Sequence, residues 1–428
     1  MSITGTRFVS QWINLGDYSV EQEGSPIDVF YFLTLIITGI RVIALRHVFT
    51  VEILRNNRWL ATFFIYCFIS IAWSDFPFLA FKRYIKILGH PVMALIILTD
   101  PDPVNALRTV MKRCAYLLIP LSVLFIKYYP QYGRGFDSWT GEAYNTGLML
   151  TKNELGGGVM IFGLFFFWNL LTALGIEDRR VRREEIIISA GFLCMCGWLL
   201  YMAHSSTALA TFIIGIGTIF ALGFKFLDKR FIGTYVFVGI FLAIGAEWLF
   251  DVYKNVVELL GEDPTLTDRT KIWADCLALV NNPLLGTGFE SFWLGSRLEI
   301  LWAKWFWHPN QAHNGYIETY LNLGAVGIVI LIGLLISTFR KISSELLKNF
   351  AFARLQFGFL VAIVFFNYTE AIFKGVAFIW TIFHIIAINY PRISVEQPKV
   401  QAETVVRRPK YRYKKTLNKT LVNSKPDG

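Results

Sequence analysis

Between Ile27 and Tyr390 the chain returns repeatedly to apolar runs of about 16–22 residues, and that recurrence decides what it can fold into. About 20 apolar residues in a helix cross a hydrocarbon core of roughly 30 Å. Water is absent at that depth, so each run must satisfy its own backbone, as a helix does. Composition agrees, with 54% hydrophobic and only 17% charged residues, against about 25% charged in an ordinary soluble domain. The expected fold is an all-α polytopic membrane protein with about eleven (10–12) transmembrane helices. Spans are expected near 27–45, 59–73, 80–98, 111–127, 155–175, 186–203, 207–226, 231–250, 315–337, 354–371 and 373–390. The polar residues 1–26 hold no apolar core before a small-residue cleavage site, so the first span is expected to act as its own insertion signal. A short element around Phe8–Leu15 would raise the count to twelve.

Basic residues orient such a chain. Arg179, Arg180, Arg182 and Arg183 mark one connection as cytoplasmic, and Lys225, Lys229, Arg230, Arg340, Lys341 and Lys348 agree with it. From Arg392 onward ten Lys/Arg stand against three Asp/Glu, which accounts for most of the formal charge of +10. A tail of that composition is expected to be disordered or to lie on anionic lipid. It is not a nucleic-acid-binding surface. The segment 251–314, with eight acidic and five basic residues, falls on the opposite side. Three regions are therefore expected: a polar segment over 1–26, a transmembrane domain over 27–390, and a basic cytoplasmic tail over 391–428. The middle one includes the large extracytoplasmic loop 251–314, expected to be mostly helical. Of the five cysteines only Cys276 lies in an outer segment, so no disulfide framework holds that loop. Cys194 and Cys196, two apart on a helix, point to different faces.

Polar and aromatic residues gather on the loop side of the membrane. Trp73–Pro77 is a turn followed by Lys82 and Arg83, residues 128–154 form a second outer loop, and His204-Ser205-Ser206 ends another span. With the large loop, these distant pieces are expected to converge on one site. Their order resembles the bacterial O-antigen ligase and exopolysaccharide polymerase superfamily. The likeness is carried by WSDFPFLAFKR (Trp73–Arg83), TKNELGG (Thr151–Gly157), HSSTALAT (His204–Thr211), DRTKIW (Asp268–Trp273), NPLLGTGFESFW (Asn282–Trp293) and HNGYIETYLNLGAVG (His313–Gly327). The last is the sharpest: His313-Asn314, nine residues, Gly324, two residues, Gly327. One departure stands out, since Ser206 occupies a place where the family often has arginine.

The resemblance implies transfer of a glycan from a polyprenyl-diphosphate carrier to an acceptor hydroxyl at the outer face of the cytoplasmic (inner) membrane. It implies inversion at the anomeric carbon, no nucleotide sugar, no metal and no cofactor. Such a transfer must take a proton from the acceptor, and an imidazole titrating near about pH 6.5 can do so at neutral pH. His313, where loop meets span, is the candidate base; its bland alternative is an interfacial histidine bonded to the loop. Arg269 is the first candidate for the diphosphate, because a guanidinium offers phosphate a planar fork of donors; the alternative is a salt bridge to Asp268 or Asp275. Arg83 and Lys152 come next, and Arg297 is weaker. Asn314, Glu318, Trp273 and His308 are candidates for contacts to the acceptor or within the loop. A metal shared by His308 and His313 is discounted because Pro309 interrupts the segment and no carboxylate is suitably spaced.

Trp293, Trp302, Trp305, Phe306 and Trp307 read first as anchors in the headgroup belt, and second as stacking surfaces for sugar rings or the polyprenyl chain. Asn282–Gly288 reads as a helix stop and turn that folds the loop back over the site. Asp100-Pro101-Asp102 is a turn, and Glu370 with Lys374 is expected to form a local ion pair. Polymerase and ligase are not separated by these residues. His-Asn spacing leans to a ligase acting on a lipid A core or protein, whereas Lys-Asn-x-Leu-Gly and the missing arginine lean to a polymerase, which is slightly favoured. A transporter of lipid-linked glycan is the rival class, disfavoured because mid-membrane charge is scarce, Arg41 being the main exception; a pure assembly scaffold is a third option. Expected partners are the lipid-linked donor, a glycan or lipid acceptor and membrane lipid, with other polysaccharide-assembly proteins as candidates.

Overall fold

The computed structural model describes residues 26–46, 50–136, 141, 143–250 and 269–390. The polar segment 1–26 apart from Pro26, the element around Phe8–Leu15, residues 251–268 of the large loop and the tail 391–428 lie outside them. The elements are α1 (Pro26–Leu45), α2 (Thr50–Asn56), α3 (Arg58–Ile69), α4 (Pro77–Ile87), α5 (Gly89–Leu98) and α6 (Pro103–Tyr128). A strand pair, β1 (Arg134–Phe136) and β2 (Ala143–Asn145), precedes α7 (Lys152–Ala173), α8 (Arg179–Ala203), α9 (Ser206–Ala221) and α10 (Ile232–Phe250). The outer segment holds α11 (Arg269–Ala278) and α12 (Gly295–Lys304); α13 (Gly315–Lys348), α14 (Phe350–Thr369) and α15 (Phe378–Ala387) follow.

The protein is an all-α, multi-pass membrane protein. Each apolar run read from the sequence contains a helix, and α6, α7, α8, α13 and α14 are long and apolar enough to cross a bilayer. The core is built on α7, which is buried on nearly every face and packs against α8, α9 and α14. Small residues let the backbones close. A Cβ on Gly156 would lie 2.7 Å from that of Ala208, and one on Gly163 or Gly215 would strike Phe212 or Leu164. Close approach of this kind replaces the hydrophobic drive that lipid cannot supply.

Four expectations need correction. The run 80–98 is two helices, because Pro91 has no N–H to give the Ile87 carbonyl. The last run is helical only from Phe378; before it lies a connection that lines the site described below. The second outer loop carries the antiparallel β1–β2 ribbon, with Arg134 opposite Asn145. The described part of the large loop is less helical than expected: it has two ten-residue helices joined by turns around Pro283, Gly286 and Gly288, with a further turn at Pro309 before α13.

Those turns exist because of a break in α13. Gly324 adopts φ 65° and ψ −166°, interrupting the helix. In a straight helix the Leu321 and Asn322 carbonyls would pair with the Ala325 and Val326 N–H groups. Here Thr287 N and Gly288 N take those carbonyls at 3.1 and 2.9 Å, while Ala325 N and Val326 N turn to Pro283 O and Leu284 O at 2.9 and 3.2 Å. The Leu323 carbonyl receives the Tyr66 hydroxyl at 3.0 Å. The Leu321, Asn322 and Leu323 carbonyls and the Ala325 and Val326 N–H groups are thus re-paired at the kink, as a low-dielectric setting demands. The Trp73–Pro77 turn closes the same junction: Ser74 Oγ lies 2.6 Å from Ser291 Oγ, Ser70 Oγ accepts the Phe289 N–H at 3.1 Å, and Arg297 pairs with Asp75 at 2.7 Å. The outer segment also has its own small core of Ile272, Cys276, Phe292, Trp293, Leu301, Ala312 and Leu321.

Candidate active site

The loop-side ends of the helices and the outer segment surround a cavity of about 310 Å³. The start of α7 brings Thr151 and Asn153, the outer segment brings Gln311 and His313, and the α14–α15 connection brings Glu370 and Lys374. Beside it lies an apolar groove of about 370 Å³ lined by α1, α5, α6 and α15, including Ile36, Met93, Met111 and Ile382. Val376 and Phe378 line both.

His313 is held from several directions. Its φ of 49° is left-handed, a conformation that costs about 1–3 kcal/mol and persists only where neighbours over-determine it. The neighbours are visible. Asn314 caps α13 by accepting Tyr316 N and Ile317 N, both at 3.0 Å. Ala312 donates its N–H to Glu318 Oε2 at 3.0 Å, and its carbonyl accepts the Trp273 indole N–H at 2.7 Å. The imidazole Nδ1 lies 3.5 Å from Glu370 Oε2 and from Gln311 Nε2. Asn314, Glu318 and Trp273, read from sequence as contacts to acceptor or loop, therefore frame the backbone on either side of His313. The fourth, His308, also has a left-handed φ of 51°, and its ring stacks on Trp302 at 4.7 Å, apart from the cavity lining.

Glu370 is the hub that sequence reasoning set aside. Its side chain is 8% exposed and receives Asn153 Nδ2 at 2.7 Å, Arg269 Nη2 at 3.3 Å and the His313 contact. Arg269 also donates through Nη1 to the Thr369 carbonyl, and Thr369 Oγ1 donates to Thr207 Oγ1 at 2.8 Å. DRTKIW, TKNELGG and HNGYIETYLNLGAVG thus meet around one carboxylate, and HSSTALAT reaches the adjacent Thr369. The expected local pair of Glu370 with Lys374 does not form. Lys374 lies instead 3.4 Å from Glu318, because the backbone leaves helical geometry at Glu370 and the i,i+4 relation disappears. The alternative partners weighed for Arg269 are also corrected in one case: Asp275 is taken by Lys304 Nζ at 2.6 Å and the Trp305 indole at 2.9 Å.

Arg269 reaches the cavity only through its lining residue Glu370, and the other candidate cations also lie outside the lining. Arg83 donates to the Glu290 carbonyl, and Glu290 in turn accepts the Gly375 N–H. Lys152 is the first residue of α7, between the lining residues Thr151 and Asn153. Arg297 binds Asp75 and the Ser291 and Phe292 carbonyls, which makes it a brace of the loop. Asp100 and Asp102 cap the turn before α6, as expected. Burial, followed by the Glu318 and Asp275 carboxylates, pushes the Cys276 thiol up, so it is no nucleophile at neutral pH. Two signals pointed to Glu370: an acid at the end of an apolar run whose other charge, Arg354, sits at the opposite end, and an asparagine beside the lysine chosen from Lys-Asn-x-Leu-Gly.

Comparison with known proteins bears on this arrangement. The family model for O-antigen ligase matches residues 190–332, which include HSSTALAT, the described part of the outer segment and the break in α13. The exopolysaccharide production protein ExoQ of Rhizobium meliloti (strain 1021) is 27% identical over 297 residues, covering 66% of this chain and 64% of that protein. A Rickettsia conorii protein provisionally named a polysaccharide ligase is 26% identical over 166 residues, covering 36% of this chain and 39% of its own length. This chain thus spans just under two thirds of the first relative's length and about two fifths of the second's. Motif order, family model and relatives agree on one likeness: the chain is similar to the O-antigen ligase and exopolysaccharide polymerase superfamily.

Proposed function

We propose that the protein transfers a glycan from a polyprenyl diphosphate to an acceptor hydroxyl at the outer face of the bacterial inner membrane, with residues 391–428 on the cytoplasmic side. The observation that carries this reading is the meeting of His313, Glu370, Arg269 and Asn153 beside the cavity. Glu370 Oε2 lies 3.5 Å from His313 Nδ1, which favours the tautomer with its proton on Nδ1 and Nε2 as the basic nitrogen. Nε2 takes the acceptor's hydroxyl proton as that oxygen forms a bond to the anomeric carbon. The bond from that carbon to the diphosphate oxygen breaks, and the polyprenyl diphosphate leaves with the electron pair. By family analogy the centre inverts and no metal is used.

Arg269 and the cavity-lining Lys374 hold the diphosphate and stabilise the charge that grows on it. Arg269 binds the Thr369 carbonyl, the Thr369 hydroxyl reaches Thr207, and Arg269 is thereby the cation nearest in this network to the Ser206 that replaces the family's arginine. Arg83 and Lys152 flank this pair and assist from the cavity's edge. The proximal isoprenoid units lie in the apolar groove that shares Val376 and Phe378 with the cavity. Polymerisation of exopolysaccharide or O-antigen repeat units is the favoured form, supported by the longer match to a protein named for exopolysaccharide production. The family model's description favours the second reading, ligation to a different acceptor.

The test uses the purified full chain in nanodiscs with a lipid-linked repeat unit and no second acceptor. Lengthening of lipid-linked chains supports polymerisation. Transfer only after a lipid A core or protein acceptor is added makes it a ligase. Movement of the lipid-linked glycan across the bilayer without transfer overturns the reading in favour of a transporter.

A further inference from the structure

The tryptophans of the outer segment are not equivalent. Trp273, Trp293, Trp302 and Trp305 donate their indole N–H groups to Ala312 O, Glu318 Oε1, Pro309 O and Asp275 Oδ2 at 2.7–2.9 Å. Each is committed to holding the loop's own shape. Trp307 makes no such bond among the described residues. It is half-buried, leans on the loop's small core, and meets Trp305 edge-on at 6.3 Å. Its ring centroid stands 6.5 Å from that of His313 at an angle of 47°. Its neighbour Phe306, 63% exposed, is the residue suited to lipid. An aromatic face with an uncommitted N–H, placed next to the proton-accepting imidazole, has the chemistry of a sugar subsite. The C–H face of a pyranose packs on indole, and a hydroxyl oxygen accepts the N–H.

We infer that Trp307 is the platform for the acceptor glycan, setting one sugar ring against its indole so that the attacking hydroxyl reaches His313. This rests on the transferase reading and adds the residue that would recognise the acceptor as carbohydrate. At 6.5 Å between centroids the two rings are in contact, so a sugar packed on the indole face lies beside the imidazole. Trp307 is thereby a binding residue, and His313 keeps the proton transfer.

The experiment uses the full chain in nanodiscs as wild type, Trp307→Ala, Trp307→Phe and His313→Ala. The probe is the oligosaccharide released by mild acid from the source cell's own lipid-linked repeat unit. Binding is measured by calorimetry, and the KM for acceptor and kcat by chain transfer. Trp307→Ala should weaken oligosaccharide binding and raise the acceptor KM about tenfold, with kcat and the donor KM moving far less. Trp307→Phe should recover most of the affinity, since it keeps a ring face and loses only the N–H. His313→Ala should still bind the oligosaccharide while transferring nothing. Unchanged affinity and KM in Trp307→Ala, or a wild type that does not bind the oligosaccharide, overturns the inference. A wild type that binds through Trp307 yet transfers no glycan contradicts the transferase reading and leaves this one standing.

Discussion

Two buried carboxylates flank His313, and they are employed differently. Glu318, 4% exposed, accepts from two donors that belong to the scaffold, the Trp293 indole and the Ala312 N–H, with the cavity-lining Lys374 3.4 Å away. Glu370, 8% exposed, is shared among the imidazole of His313, the guanidinium of Arg269 and the amide of Asn153, and it borders the cavity. Burial alone does not separate them; their partners do. A carboxylate paid in backbone and indole hydrogen bonds fixes the shape of the loop. On the proposed reading, one paired with groups that can bind or move protons prepares a reaction. Around Glu318 a change should therefore cost stability, and around Glu370 it should cost turnover.

The largest effect is expected at His313. His313→Ala should lower the transfer rate by about 10²–10⁴-fold, the usual contribution of a general base, while the melting temperature stays near that of wild type. Glu370→Gln comes next. It keeps the size and an acceptor oxygen but loses the charge that orients His313 and Arg269, so turnover should fall by roughly tenfold or more with the fold retained. Glu318→Ala should reverse that pattern. It strands Lys374, the Trp293 indole and the Ala312 N–H, and loss of one partner of a buried pair costs about 3–5 kcal/mol, read as a lower melting temperature. Equal losses of stability in the Glu318 and Glu370 variants would erase the distinction.

Gly324→Ala probes the scaffold further from the chemistry. A Cβ there would fall 2.2 Å from the Leu284 carbonyl oxygen at a φ of 65°, so the loop must undock. The expected result is protease sensitivity in 282–293 together with lost transfer. The smallest effect is expected for Asp75→Ala. Its carboxylate is 58% exposed, so the pair with Arg297 contributes about 0.2–1 kcal/mol, and activity should change less than threefold.

What the sequence made legible follows from the kind of interaction involved. Apolar runs dictate helices through the bilayer's dielectric, so the fold class and the positions of the helices could be read directly. The convergence of distant outer segments was visible in motif order. The Gly324 kink was not, because GAVG looks like ordinary small-residue packing within an apolar helix until the Pro283–Gly288 turn is seen to exchange hydrogen bonds with it. Glu370 was misjudged for a related reason. The i,i+4 rule joins it to Lys374 only if the helix continues, and it ends there, sending each side chain to a partner more than 50 residues away. Lys152 drew attention because it is charged, yet Asn153 beside it makes the contact with Glu370.

Chemical rescue of His313→Ala in nanodiscs tests the central claim most directly, because it separates the missing base from a misfolded site. Transfer should be nearly abolished in that variant, with the lipid-linked donor still bound, and added imidazole should restore part of the rate with a dependence on its neutral form. Transfer by His313→Ala within twofold of wild type, with no response to imidazole, would contradict the assignment of His313 as the base.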